Sequence, residues 1–109
     1  MTLDDGHYRV LTNVCTHRGH IVQLKEENRK NLQCSYHGRR YCLDGAFHSA
    51  PGFKDVANFP SKDDDLALLK SLVWKNFIFT SLNPTYSIAN ILSQVTSRID
   101  WFPFDDLIE

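Results

Sequence analysis

Apolar and polar residues alternate in short stretches along most of this 109-residue chain. This period of two predicts a series of β-strands. In residues 7–14 the alternation predicts that Tyr8, Val10 and Val14 share one face of a strand. The other predicted strands cover residues 1–3, 21–24, 32–34, 40–43, 46–49, 66–69, 71–74 and 77–82.

Turn signals separate these strands. Asp44-Gly45 is a strong hairpin signal, and residues 4–6 and 25–30 are also predicted turns. Residues 50–65 are predicted to form a loop. Short antiparallel strands with tight turns predict a mainly β fold, a small sandwich or barrel.

One helix is predicted near the C-terminus. Its apolar residues recur at helical spacing, Ser87 is its candidate N-cap, and residues 101–104 are predicted to leave it in an extended form. The stripe consists of Ile88, Ile91, Leu92, Val95 and Ile99.

Length and composition limit the possible classes of function. A chain of 109 residues is predicted to be a single domain, residues 1–109. Its net charge of -1 gives no reason to expect nucleic acid or an anionic membrane as a partner. The sequence has neither a long apolar run nor an N-terminal secretion signal. Three cysteines, an odd number, favour a reducing cytoplasm.

Two short segments each combine a thiol and an imidazole. Cys15 and His17 are one residue apart, whereas two residues separate Cys34 from His37. Each pair can converge only from a tight turn, so the pattern predicts two loops that fold around a metal centre. These loops belong to one part of the domain, about residues 14–50, which is predicted to bind the metal centre.

The donor set is compatible with two kinds of centre. One zinc ion could take all four ligands, but zinc fingers usually place two Cys at one end and two His at the other. A 2Fe-2S cluster in which two His replace two Cys on one iron takes one ligand for each iron from each loop. Cys15 and Cys34 would then hold one iron, and His17 and His37 the other. The mixed loops favour the cluster.

The two loops resemble those of a known family. CTHRGH and CSYHGRRYCLDGAF are similar to the Rieske motifs of ring-hydroxylating non-haem iron oxygenases, in their alpha subunits. APGF, NFP, WKNFIF and NP further along the chain resemble other landmarks of the same domain. The family usually has Trp after the second His-Gly, where this chain has Arg39. An arginine so placed is expected to be solvated.

The resemblance implies an electron-transfer domain. A ferredoxin or flavin reductase would reduce the 2Fe-2S cluster, which would pass the electron to a mononuclear Fe(II) in a separate catalytic domain. That iron requires two His and one carboxylate. His7, His20 and His48 offer no such set, so no catalytic residue is assigned and the chain alone is not expected to oxygenate a substrate. The alternatives are a self-standing Rieske ferredoxin and a zinc-stapled interaction module.

The remaining candidates have simpler interpretations. His7 and His48 are expected to be ordinary surface residues, His20 part of the first loop, and Cys42 a half-buried filler. Rieske domains of the family carry several strands before the first ligand loop, whereas fourteen residues precede Cys15. The resemblance therefore implies that N-terminal strands are missing from this chain. An exposed sheet edge left by them would favour a homo-oligomer.

Overall fold

The structure is a computed structural model, and it describes residues 1–53 and 56–104. The chain forms two compact units, Met1–Leu68 and Leu69–Glu109. The fold is mainly antiparallel β with one C-terminal helix, which confirms the predicted class. Within the described ranges, the structure has no helix that is both long and apolar enough to cross a bilayer.

The first unit begins with a hairpin. Strands β1 (Thr2–Asp4) and β2 (His7–Leu11) pair antiparallel, with Leu3 opposite Tyr8. The two connecting residues, Asp5 and Gly6, both have positive φ angles, of 49° and 75°. Positive φ at both positions suits the turns whose twist matches a β-hairpin. The predicted turn at residues 4–6 is therefore confirmed.

A second antiparallel sheet carries the second ligand loop. It consists of β3 (Leu32–Gln33), β4 (Arg40–Tyr41) and β5 (Phe47–Ser49), with β4 in the middle. The chain leaves β3 directly into the loop and returns from it into β4. Pairing of β3 with β4 therefore fixes both ends of the loop.

The core of the first unit contains both candidate thiols. Its buried residues pack as one cluster, with Leu32 and Phe47 partly buried against it. Tyr41 and Cys34 are the largest fully buried side chains. The cluster comprises Leu11, Cys15, Val22, Cys34, Tyr41 and Leu66.

The second unit is a hairpin with a helix. Strands β6 (Leu68–Trp74) and β7 (Phe77–Ser81) pair antiparallel, and helix α1 spans Ile88–Ile99. The indole N–H of Trp74 donates to Thr96 Oγ1 at 2.9 Å, joining the hairpin to the helix. The predicted strands 66–69 and 71–74 are thus one strand, because its pairing runs unbroken from Lys70 to Trp74.

The strand predicted over residues 7–14 ends at Leu11, so Val14 lies beyond β2. Tyr8 and Val14 are 44% and 52% exposed, whereas Leu11 is buried at 8%. Alternation determines the period of a strand, but it does not determine which of the two faces is covered. Here the covered face is the one that carries Leu11.

The strand predicted over residues 21–24 is also wrong, since only Ile21 forms a bridge there, with Val14. The Asn13 side chain takes the place of a strand partner: its amide nitrogen donates to the Gln23 carbonyl at 2.8 Å, and its oxygen accepts from Gln23 N–H at 2.9 Å. A side chain that satisfies these backbone groups removes the need for a longer ladder.

Three smaller predictions also need correction. The predicted loop at residues 50–65 contains a short 3-10 helix, Lys62–Asp64. Residues 101–104 are not extended, because Phe102 N–H bonds back to the Ile99 carbonyl at 3.0 Å. Ser87 stands at the N-cap of α1, but its side chain makes no capping hydrogen bond.

Candidate metal centre

The first ligand loop is a tight turn closed by two backbone hydrogen bonds. Cys15 N–H donates to the His20 carbonyl at 2.8 Å, and Gly19 N–H donates to the Cys15 carbonyl at 2.9 Å. Gly19 has a φ of 67°, a left-handed conformation that glycine adopts at little cost.

The second loop repeats this hydrogen-bond pattern. Cys34 N–H donates to the Arg39 carbonyl at 2.9 Å, and Gly38 N–H donates to the Cys34 carbonyl at 3.0 Å. Gly38 has a φ of 74°. In both loops the two hydrogen bonds join the cysteine to the residues four and five positions after it. The two turns therefore have the same length, although their Cys–His spacings differ.

The four candidate donors form two pairs. The Cys15 and Cys34 side chains are both buried and belong to the same core cluster. The imidazole centroids of His17 and His37 lie 4.9 Å apart, with an interplanar angle of 65°. His17 is half-buried and His37 is exposed. The sulfur pair therefore lies in the core and the imidazole pair at the surface.

The environment of Cys15 favours a thiolate. Burial acts to raise its pKa, but hydrogen bonds from the Tyr41 hydroxyl, the His17 backbone, the Cys34 thiol and the Arg18 backbone outweigh burial and lower the pKa. A thiolate is the form of cysteine that binds a metal. The Tyr41 hydroxyl, 3.1 Å from Cys15 Sγ, would also stabilise negative charge on a metal-bound sulfur.

The environment of His17 favours a neutral imidazole, which is the form that binds a metal. Desolvation lowers the pKa of His17, and the positive charges of His37, Arg39 and Arg18 lower it further. Both rings have aromatic neighbours: Phe53 lies 6.3 Å from His17, and Tyr36 lies 3.9 Å from His37, measured between ring centroids.

Tyr41 is a site residue that the sequence interpretation missed. Its side chain is fully buried, and its hydroxyl lies 3.1 Å from Cys15 Sγ. Burial and the hydrogen bond to Cys15 raise the pKa of Tyr41, against opposing contributions from Thr16 and Arg39, so the hydroxyl keeps its proton. The sequence did contain a signal for it: Tyr41 lies in the strand that follows the second ligand loop. A tyrosine buried there needs a hydrogen-bond partner for its hydroxyl, and the loops could provide one.

Arg39 is buried, which corrects the expectation that it is solvated. Its side chain is 6% exposed, and its guanidinium forms an ion pair with Asp64 at 3.1 Å. It also lies 5.1 Å from the ring centroid of Phe47 and 5.5 Å from that of Phe59. Two aromatic faces and a carboxylate together compensate for removing the cation from water.

The other candidates belong to neither pair. His20 Nε2 is 3.3 Å from Ser35 Oγ, so this histidine links the two loops. His7 and His48 are exposed. Cys42 is half-buried, and its pKa is raised by burial and then by the nearby carboxylates. A protonated, half-buried thiol agrees with the filler interpretation.

The donors fit a 2Fe-2S cluster with mixed ligands. Two buried thiols share one core cluster, two imidazoles form a second pair, and each loop contributes one thiol and one imidazole. Over residues 1–53 and 56–104, no three or more His, Cys, Asp or Glu side chains are grouped to hold a single metal ion. Two such pairs would supply two ligands to each of two irons.

The family comparison identifies the first unit. Residues 1–60 match the family described as "Rieske [2Fe-2S] domain". The chain belongs to this family. The matched residues include both ligand loops and lie entirely within the unit Met1–Leu68.

Other Rieske proteins extend the likeness. The chain is 34% identical over 79 residues to choline monooxygenase, chloroplastic, of Spinacia oleracea, which covers 72% of this chain and 18% of that protein. It is 35% identical over 81 residues to the carnitine monooxygenase oxygenase subunit of Escherichia coli (strain K12), covering 73% and 22%. This Rieske domain therefore spans about a fifth of the length of these relatives.

Solved structures agree with this assignment. Naphthalene 1,2-dioxygenase from Rhodococcus sp., bound to indole, matches with a TM-score of 0.76 and 30% identity, over 91% of this chain and 24% of that one. A quaternary ammonium Rieske monooxygenase in complex with an inhibitor matches with a TM-score of 0.80 and 23% identity, over 93% and 29%, a likeness of fold alone. The chain is homologous to the N-terminal region of Rieske oxygenase alpha subunits, which confirms the resemblance.

Proposed function

We propose that this chain is the electron-transfer domain of a Rieske oxygenase large subunit. In this proposal Cys15 and Cys34 hold one iron of a 2Fe-2S cluster, and His17 and His37 hold the other. The observation that carries the proposal is the pairing of two buried thiols and two surface imidazoles on matched loops. The family match over residues 1–60 supports the same cofactor.

When bound, the cluster accepts and releases single electrons. The residues around its two ends differ in their exposure to solvent. The cysteines, both buried in the core, shield the sulfur end from water. The half-buried His17 and the exposed His37 leave the imidazole end within reach of a partner protein. The imidazole end is therefore the proposed place for electrons to enter and leave.

The proposed electron donor is a ferredoxin or a flavin reductase. The proposed acceptor is a mononuclear iron outside the chain, since such an iron needs two His and one carboxylate with open positions. The relatives support this division, because the chain corresponds to about a fifth of their length. A reducing cytoplasm remains the proposed location, and the possible homo-oligomer remains a prediction.

The test is to reduce the purified chain with an oxygenase reductase under anaerobic conditions and then to admit air with candidate substrates. We expect bleaching of the visible bands, equivalent to about one electron per chain, and no substrate-coupled consumption of dioxygen. Cys34→Ser is the matched control and should show no bands to bleach. Stoichiometric formation of a hydroxylated product by the chain alone would contradict the proposal, as would failure of the reductase or of dithionite to reduce it.

A further inference from the structure

Arg39 reaches from the second ligand loop to the first. Its Nη1 donates to Thr16 Oγ1 at 2.8 Å and to Asp64 Oδ1 at 3.1 Å. Thr16 directly follows Cys15, and its hydroxyl lies 3.0 Å from the hydroxyl of Tyr41. A buried cation is thus two hydrogen bonds away from the tyrosine that contacts the Cys15 sulfur.

The direction of these hydrogen bonds follows from counting protons. The Thr16 hydroxyl has one proton, and it lies 2.8 Å from the Asp64 backbone carbonyl, which can only accept. Thr16 therefore donates to Asp64 and accepts from Arg39. In addition, Thr16 N–H donates to the Tyr41 hydroxyl oxygen at 3.2 Å.

The Tyr41 proton has two possible acceptors. Cys15 Sγ lies at 3.1 Å and Thr16 Oγ1 at 3.0 Å. A metal-bound thiolate has no proton, so a hydrogen bond between Tyr41 and this sulfur in the loaded protein can only be donated by Tyr41. Which acceptor takes the proton depends on how strongly the Thr16 oxygen competes for it.

We propose that Arg39 is a positioning residue that directs the Tyr41 proton to the Cys15 sulfur. Its cationic N–H occupies one acceptor position of Thr16 Oγ1 and withdraws electron density from that oxygen, which weakens it as a competing acceptor. Asp64 holds the guanidinium in place and compensates its charge. This inference rests on the proposed function, because its effect is measured in the potential of the cluster.

A double-mutant cycle on the cluster midpoint potential tests the inference. Tyr41→Phe should lower the midpoint, since a hydrogen bond to the sulfur favours the reduced state. In an Arg39→Met background, we expect the same substitution to lower it by less than half as much, because Tyr41 then donates mainly to Thr16. The cycle cancels the direct effect of removing the Arg39 charge.

Thr16→Val provides the matched control. It removes the competing oxygen, so in the Arg39→Met/Thr16→Val background the full decrease on Tyr41→Phe should return. Equal decreases in the parent and Arg39→Met backgrounds would overturn the inference while leaving the cluster assignment intact.

If the Arg39→Met protein does not hold a cluster, Arg39→Trp can replace it, because Trp also fills the space between Phe47 and Phe59 without a cation. The expected smaller effect of Tyr41→Phe is the same in this background. A parent protein without a Rieske spectrum would overturn the proposed function and this inference together.

Discussion

At the scale of single residues, the site depends on groups that surround the four candidate ligands. Tyr41 places a hydroxyl 3.1 Å from Cys15 Sγ, and Arg39 connects the two loops through Thr16. Hydrogen bonds to sulfur and local charge both shift the potential of an iron–sulfur cluster. The charge of Arg39 is compensated by Asp64 at 3.1 Å. The pair therefore adds little net charge beside the cluster.

These residues lead to a prediction for the midpoint potential of the parent protein. The resemblance implies that a high-potential Rieske centre would have a Ser directly after the second His-Gly and a disulfide cysteine in the second loop. This chain has Arg39 and Tyr36 at the corresponding places. We expect a midpoint in the lower part of the Rieske range of roughly −150 to +300 mV. A redox titration that gives a value above roughly +150 mV, in the upper part of that range, would indicate a respiratory-type centre instead.

Asp65 gives a prediction for stability in acid. The Phe47 backbone N–H, which donates to Asp65 Oδ1 at 2.7 Å, lowers the pKa of Asp65 below its ordinary value of 3.8, with a further contribution from Lys62 and against an opposing effect of burial. A lowered pKa means that the folded state binds the proton less tightly than the unfolded state does. This contribution to stability is therefore present above pH 3.8 and is lost as the pH falls through the lower folded value.

The test substitution is Asp65→Asn, whose amide oxygen can still accept from Phe47. We expect it to reduce the free energy of unfolding at neutral pH by about 1 kcal/mol, the difference between a charged and a neutral acceptor. We also expect a shallower loss of stability below pH 3.8 in urea unfolding measured at several pH values. Identical acid dependence in the two proteins would contradict this role.

At the scale of elements, the turn at Gly45 packs against the end of β2 at Leu11 and against the backbone at Leu66. Gly45 has a φ of 94°, and a Cβ at this position would lie 2.9 Å from Leu11 Cδ2 and 3.0 Å from the Leu66 carbonyl oxygen. Backbone strain and overpacking therefore act together. We expect Gly45→Ala to lower the free energy of unfolding by about 2–4 kcal/mol, measured by urea denaturation.

Gly6→Ala is the control for this substitution. Gly6 also has a positive φ, 75°, but nothing lies within 4 Å of the place of its Cβ. Gly6→Ala should therefore lower the free energy of unfolding only through backbone strain, by about 1 kcal/mol. Equal losses in the two variants would show that contact with Leu11 and Leu66 contributes nothing.

Local patterns predicted the elements of this fold better than its pairings. The hairpin turns at Asp5-Gly6 and Asp44-Gly45 and the helix Ile88–Ile99 could be predicted because their signals lie within a few residues. The strand at residues 21–24 could not be excluded from the sequence. Its backbone partner is the side chain of Asn13, which lies ten residues from Gln23.

The same distinction applies to the site. Cys–His spacing indicated the two loops, and the structure places their thiols in one core cluster and their imidazoles in a pair. The contact of Tyr41 with Cys15 spans 26 positions, and the burial of Arg39 depends on Asp64, 25 positions away. No local pattern records such contacts.

At the scale of the whole molecule, the family match and the candidate metal centre lie in the same compact unit. Residues 1–60 match the Rieske domain, and the unit Met1–Leu68 contains both loops and the core around them. The chain covers about a fifth of the length of its curated relatives. We therefore propose that this chain holds the cluster and that oxygen activation occurs elsewhere.

The central claim is that Cys15, His17, Cys34 and His37 hold a 2Fe-2S cluster. Analysis of iron and acid-labile sulfide in the purified chain, with its visible spectrum, tests it most directly. We expect about two irons and two sulfides per chain, unchanged in the control Cys42→Ser and lost in Cys34→Ser. Zinc without sulfide in the parent protein, loss of the spectrum in Cys42→Ser, or its survival in Cys34→Ser would contradict the claim.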